Sequence, residues 1–318
     1  MKRRQIRTGM MKKTICTLLG LAMTLTVGQA AKIDRAHIVE DAKFMAHLDL
    51  DAFRASEMGK TILREIRKEG GVKLDAMVEI FGFDPFTAIH GATLSGNGED
   101  EDAILVLKHK ADNAKLLALM QLDDDYRKTE HGKHEIHGAG DRGGDGRGYV
   151  SFVNTKTAVL AGSRKLAVKG IDLVNGQESI KQIPADLRKI AKEAKTSFLI
   201  AHADLKSLKG QIDDDNLRQM VKKAALVLGE SDGNLILSLA IDSYDADTAQ
   251  QMEAMVNGLI GFARLGQDEN PEIKDILNGL KVTRNEVNVS IRLSIGVDKI
   301  FEMIDPALKE LDIDLPKP

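Results

Sequence analysis

Apolar residues alternate along some stretches of this chain and recur at three- and four-residue steps along others, and these two periods divide it into strands and helices. From Ala46 to Leu50 the alternation puts Ala46, Leu48 and Leu50 on one face and His47 and Asp49 on the other, which predicts a strand with one wet face. Met58, Ile62 and Ile66 follow at helical spacing, with Ser56 where an N-cap belongs and Gly70-Gly71 as the stop. "IHGATLSGNGEDEDAILVLKHK" reads as two strands around a Gly-Asn-Gly turn. A short helix over Asn113–Gln121, strands over Arg127–Gly138 and Tyr149–Gly162, and a helix over Lys165–Leu173 complete a β-α-β-β-α-β-β-α order.

The pattern then comes round again. "FMAHLDLDAF" (Phe44–Phe53) and "LIAHADLKSL" (Leu199–Leu208) share Ala-His-x-Asp-Leu. "DAILVLKHKADNAKLLALM" (Asp102–Met120) resembles "NLILSLAIDSYDADTAQQMEAM" (Asn234–Met255), and "TKTAVLAGSRKLAVKGID" (Thr155–Asp172) sits where "VNVSIRLSIGVDKIFEMID" (Val287–Asp305) does. Three similarities in one order predict a tandem duplication. The expected fold is α+β: two tandem repeats, each an antiparallel sheet with helices packed on one face, in the ferredoxin-like style. The first repeat spans residues 32–176 and the second 197–318, joined by a charged linker helix over 177–196.

The chain opens with six basic residues and no acid in "MKRRQIRTGMMKK", followed by the apolar run "TICTLLGLAMTLTVG" and the small-residue end "GQAAK". That is the design of a secretory signal peptide over residues 1–30, with cleavage after Ala30 or Ala31. The apolar run is shorter than the roughly 20 residues a membrane-spanning helix needs, so no transmembrane segment is expected in the mature chain. The expected location is periplasmic or secreted. Several stretches resemble uncharacterised bacterial exported proteins that carry a signal peptide and a duplicated α+β unit: "FGFDPFTAIHGATLSGNG", "DAILVLKHKADNAKLLALM", "KHEIHG" and "TAVLAGSRKLAVKGIDLVNG". The resemblance implies export and duplication, and carries no activity or catalytic residue with it.

Composition narrows the functional classes. Cys16, the only cysteine, lies in the signal segment, so the mature chain has no disulfide, no Cys-bound zinc and no thiol nucleophile. Without the six leading basic residues, 39 Lys and Arg stand against 48 Asp and Glu, a net charge of −9. An acidic chain argues against nucleic acid as partner. Trp is absent and only three Tyr occur, which disfavours a sugar-binding groove.

Three motifs invite chemistry. The repeated His-x-Asp pairs, His47 with Asp49 and His202 with Asp204, each put an imidazole and a carboxylate on one strand face, half of a catalytic triad. No Gly-x-Ser-x-Gly elbow supplies a nucleophile, so a capping role for each Asp competes with a functional one. In "EHGKHEIHGAGDRGGDGRG", His131, His134 and His137 suggest a metal. On one continuous strand, however, His131 and His137 stand roughly 20 Å apart and His134 faces away. The glycines that follow lead into a strand and lack the lysine of a phosphate loop, so they read as a hairpin turn. No cofactor is expected. The leading reading is a non-enzymatic binding or scaffolding module of the cell envelope, with an envelope protein or a small ligand as its partner. The alternative is a hydrolase using carboxylate and histidine chemistry, with or without a divalent metal.

Overall fold

The computed structural model describes residues 33–99, 102–140, 148–208, 215–266 and 271–309. The predicted signal segment lies outside the described residues, as do residues 141–147 of the glycine run. A 3-10 turn over Arg35–His37 leads into β1 (Phe44–Asp49), α1 (Leu50–Ala55), α2 (Glu57–Phe81), α3 (Pro85–Ala88), β2 (Ile89–Gly96) and β3 (Ala103–His109). Then come α4 (Asn113–Met120), β4 (Arg127–His131), β5 (His134–Ala139), β6 (Gly148–Asn154), β7 (Thr157–Ala161), α5 (Arg164–Val174) and α6 (Ala185–Ile190). The rest is β8 (Thr196–Ala203), α7 (Asp215–Met220), β9 (Val221–Ser231), β10 (Asn234–Ser243), α8 (Ala246–Leu265), α9 (Pro271–Gly279), β11 (Leu280–Asn285), β12 (Asn288–Gly296) and α10 (Val297–Lys309).

Among the described residues all twelve strands join one antiparallel sheet, in the order β11-β12-β10-β9-β8-β1-β2-β3-β7-β6-β5-β4. The sequence predicts a separate sheet in each repeat; instead β1 pairs with β8 at the middle, His47 opposite Ile200 and Met45 opposite His202. Helices cover both faces, not one. On the first face the 3-10 turn, α5 and α6 bury Ile38, Val39, Ile171, Leu173, Leu187 and Ile190 against the strands. On the second face α1, α2, α8, α9 and α10 pack on the β8–β12 half, around Phe198, Leu235, Ile295 and Phe301 and around Val221, Ala249, Met252 and Val289. Each fully buried Leu or Ile contributes about 1.5–3 kcal/mol. The stretch read as a polar connector is core for the same reason, because Leu187 is fully buried.

Two local readings change. Helix α2 runs through Gly70-Gly71 and stops only at Gly82, whose φ of 72° is the left-handed C-cap position. Glycine inside a helix costs about 1 kcal/mol. Here Met58 and Ile62 packing on the second-face core, and Ser56 Oγ accepting from Gly59 N at 2.9 Å, offset that cost. In the histidine segment, His131 pairs directly with His134 across a two-residue turn in which Gly132 takes φ 57°. This is a hairpin, not one continuous strand.

Candidate functional site

The second face of the β1–β7 half is filled differently from the rest. The face opposite α5 carries Leu107 and His109 from β3, Val150 and Phe152 from β6, and Ala158 and Leu160 from β7, in register as Leu107–Ala158, Phe152–Ala158 and Val150–Leu160. Ile89 pairs with His109 at the end of β2. Helix α4 lies over these strands, started by Asp112, whose carboxylate accepts from Ala114 N at 2.9 Å. Its sequence, Asn-Ala-Lys-Leu-Leu-Ala-Leu-Met, is apolar, yet none of its residues is fully buried. The helix stands off the sheet, where α5 on the other face lies directly on it. Between them is a hollow of about 310 Å³ whose wall also includes Phe81 and Phe83. Protein interiors are packed like organic crystals, so a hollow of this size beneath an apolar helix is large.

One side chain in the cavity wall is polar. His109 is 5% exposed, and neither of its ring nitrogens makes a hydrogen bond. Burial pushes its pKa down; the nearby Ala111 backbone opposes the fall without reaching hydrogen-bond geometry. At neutral pH the ring is therefore uncharged, with one N–H donor and one bare nitrogen acceptor. Phe152 stands edge-on to it, ring centroids 6.2 Å apart. On the other flank of α4 a second hollow of about 350 Å³ is lined by Asn113, Lys133, His134 and His137.

The structure places the His-x-Asp residues on one sheet face but does not join each His to its Asp. His47 is 4% exposed, so the face expected to be wet is the buried one, covered by the 3-10 turn. Its Nδ1 lies 2.8 Å from Thr93 Oγ1. Asp49 caps α1, accepting from Ala52 N at 2.9 Å. His202 Nε2 lies 3.2 Å from Asp186 Oδ2, an ion-pair distance without hydrogen-bond geometry, and this contact holds the Asp186 carboxyl below the usual range. Asp204 accepts from Ser207 N at 3.2 Å. Both carboxylates sit at strand ends, where the chain turns away and offers backbone N–H groups. Sequence reasoning missed the groups around His47. His37 is 5% exposed with a pKa pushed down to about 4 by burial, and Lys108 Nζ lies 3.6 Å from Asp34. Only the alternation of "GATLSG", which puts Thr93 on the His47 face, signalled any of this.

The three metal candidates separate otherwise than expected. His131 and His134 share the α5 face as cross-strand partners: His131 Nε2 lies 2.8 Å from Asp172 Oδ1, and His134 Nε2 is 3.3 Å from Asn175 Nδ2. His137 is on the opposite face, with Tyr126 OH 2.9 Å from its Nδ1. Among the described residues no group of three His, Cys, Asp or Glu side chains is disposed to hold a metal ion. Nor is any described helix long and apolar enough to cross a membrane.

Fold and site together describe a mixed α+β protein, a large antiparallel sheet between helical layers with a ligand-sized apolar hollow on one side. Among solved structures the chain is similar to TP0453 in crystal form III, with a TM-score of 0.53 and 10% identity over 87% of this chain and 99% of that one. Crystal form I of TP0453 gives a TM-score of 0.49 and 12% identity over 87% and 98%. At this identity the likeness speaks for the fold alone. No protein-family model and no curated protein matches the sequence.

Proposed function

We propose that this chain is an exported, non-enzymatic binding module of the cell envelope that holds a small ligand under α4. The observation that carries the reading is the cavity of about 310 Å³, the size at which ligand pockets begin. A mostly apolar wall with a single polar group is the usual make-up of a binding pocket. The basic, apolar and small-residue order of residues 1–30 supports export. A duplication also fits the strand order: β1-β2-β3-β7 and β8-β9-β10-β12 run outward from the centre in the same sequence, although α5 and α10 cover opposite faces.

The hydrolase alternative rests on His47 and Thr93, a base beside a hydroxyl. It is the weaker reading because Thr93 is 1% and His47 4% exposed, leaving a substrate no access, and both neighbouring aspartates are spent on backbone N–H groups. The test is to express the full chain in a bacterial host, fractionate the cells, and analyse solvent extracts of the purified protein by mass spectrometry. An N-terminus at Ala31 or Lys32 in the periplasmic or secreted fraction, with an apolar small molecule retained, is expected. An intact N-terminus on cytoplasmic protein sinks export, and ester or peptide hydrolysis lost in Thr93→Val returns the hydrolase.

A further inference from the structure

From the cavity and the histidine in its wall we infer the class of ligand: a neutral amphiphile of about ten heavy atoms, with an apolar body under α4 and a hydroxyl hydrogen-bonded to His109. The inference rests on the binding reading above and makes it specific. Size comes from volume. At about 30 Å³ per water-sized group, a hollow of about 310 Å³ takes roughly ten such groups, the length of a medium acyl chain or a ring with a short tail. The apolar body comes from the wall, where Leu107, Leu116, Leu119, Met120 and Phe152 offer no hydrogen bond.

The head comes from His109. A buried polar group without a partner is costly, and such groups are rare in folded proteins. Of the other buried histidines, His47 has Thr93 and His137 has Tyr126 as hydrogen-bond partners, and His37 lies 3.8 Å from Asp34. His109 has none, and it is the one in the wall of the hollow. The wall surface of the hollow is wholly apolar and both ring nitrogens are buried behind it, so a guest reaches one of them only when the ring turns about its broad side-chain torsion. An uncharged ring offers one donor and one acceptor, and a hydroxyl can answer whichever nitrogen faces it, accepting from the N–H or donating to the bare nitrogen. A carboxylate fits badly, because it brings an unpaired charge into an apolar site. A hydrocarbon without a head leaves His109 unsatisfied.

Isothermal titration calorimetry of the purified protein with octan-1-ol, octanoate and butylbenzene tests this, using the wild type, His109→Phe and Leu116→Trp. The expected result is octan-1-ol binding at least tenfold more tightly than the other two. His109→Phe, which keeps the ring volume, should abolish that margin, and Leu116→Trp, which fills the hollow from α4, should abolish binding of all three. Equal binding of the three probes to wild type and His109→Phe overturns the hydroxyl assignment and leaves the binding reading standing. No binding of any probe to the wild type overturns both. Octan-1-ol binding that survives in a folded Leu116→Trp protein overturns the location; if that variant does not fold, the His109→Phe comparison decides alone.

Discussion

His37 and the other buried histidines couple the fold to acid. Burial holds the His37 pKa down at about 4, with Asp34 pulling the other way and Lys108 and His47 adding to the fall. An unfolded histidine takes up its proton near pH 6.5. Between these values the unfolded chain binds more protons than the folded one, so stability is full above pH 6.5 and is lost as pH falls towards 4. The loss expected from this residue by pH 4 is about 3 kcal/mol. His47, His109 and His137 are also pushed down by burial and act in the same direction. Urea midpoints measured from pH 7 to pH 4 should decline in the wild type and decline less in His37→Gln. Equal slopes for the two proteins would remove His37 from the account.

At the scale of elements, close approach and stand-off distinguish the two sides of the β1–β7 half. Helix α5 reaches the sheet because Gly170 faces it: a Cβ there would lie 2.4 Å from Val159 Cγ1 and 3.0 Å from Ile104 Cγ2. Gly170→Ala should therefore destabilise the protein by about 1–3 kcal/mol, although alanine is the better helix former. A thermal melt checks the sign, and a rise in melting temperature would mean that α5 shifts outward without cost. Elements of this kind were the most legible in the sequence. The alternation in Ala103–His109 and the steps of Met58, Ile62 and Ile66 each specify one period, and both elements are present. The turn at Gly132-Lys133 was hidden because polar residues flank it on both sides and show no alternation to break. The cavity was hidden for another reason: its wall is drawn from α2, α4 and four strands, and only the register sets Phe152 beside Ala158 and Ile89 beside His109.

Across the whole molecule, the two halves are bound by more than the central strand pair. Glu230, in β9, reaches the start of α2, where Oε1 accepts from Glu57 N at 3.0 Å and Oε2 from Met58 N at 3.1 Å. A carboxylate at a helix N-terminus satisfies orphan donors and meets the positive end of the helix dipole. Glu230→Ala is expected to cost about 1 kcal/mol. Circular dichroism and tyrosine fluorescence should still report one coincident unfolding transition, whereas two separated transitions would show that the halves melt apart. That union was not legible in the sequence. Nothing in "FMAHLD" or "TSFLIAHA" states that each is the other's neighbour, since both are short apolar strands able to accept several partners.

The pairing of β1 with β8 also fixes an order in time. A chain made from its N-terminus completes Phe44–Asp49 early, yet Thr196–Ala203 comes only after the whole β2–β7 half. Until then β1 is an unprotected edge with Phe44, Met45 and Leu48 along it, a template for the wrong strand. Contacts this distant in sequence close slowly, because a long loop must be ordered before they form. Nascent chains cut off before residue 196 would keep that edge open, and it is there that a chaperone or an aggregate would first take hold.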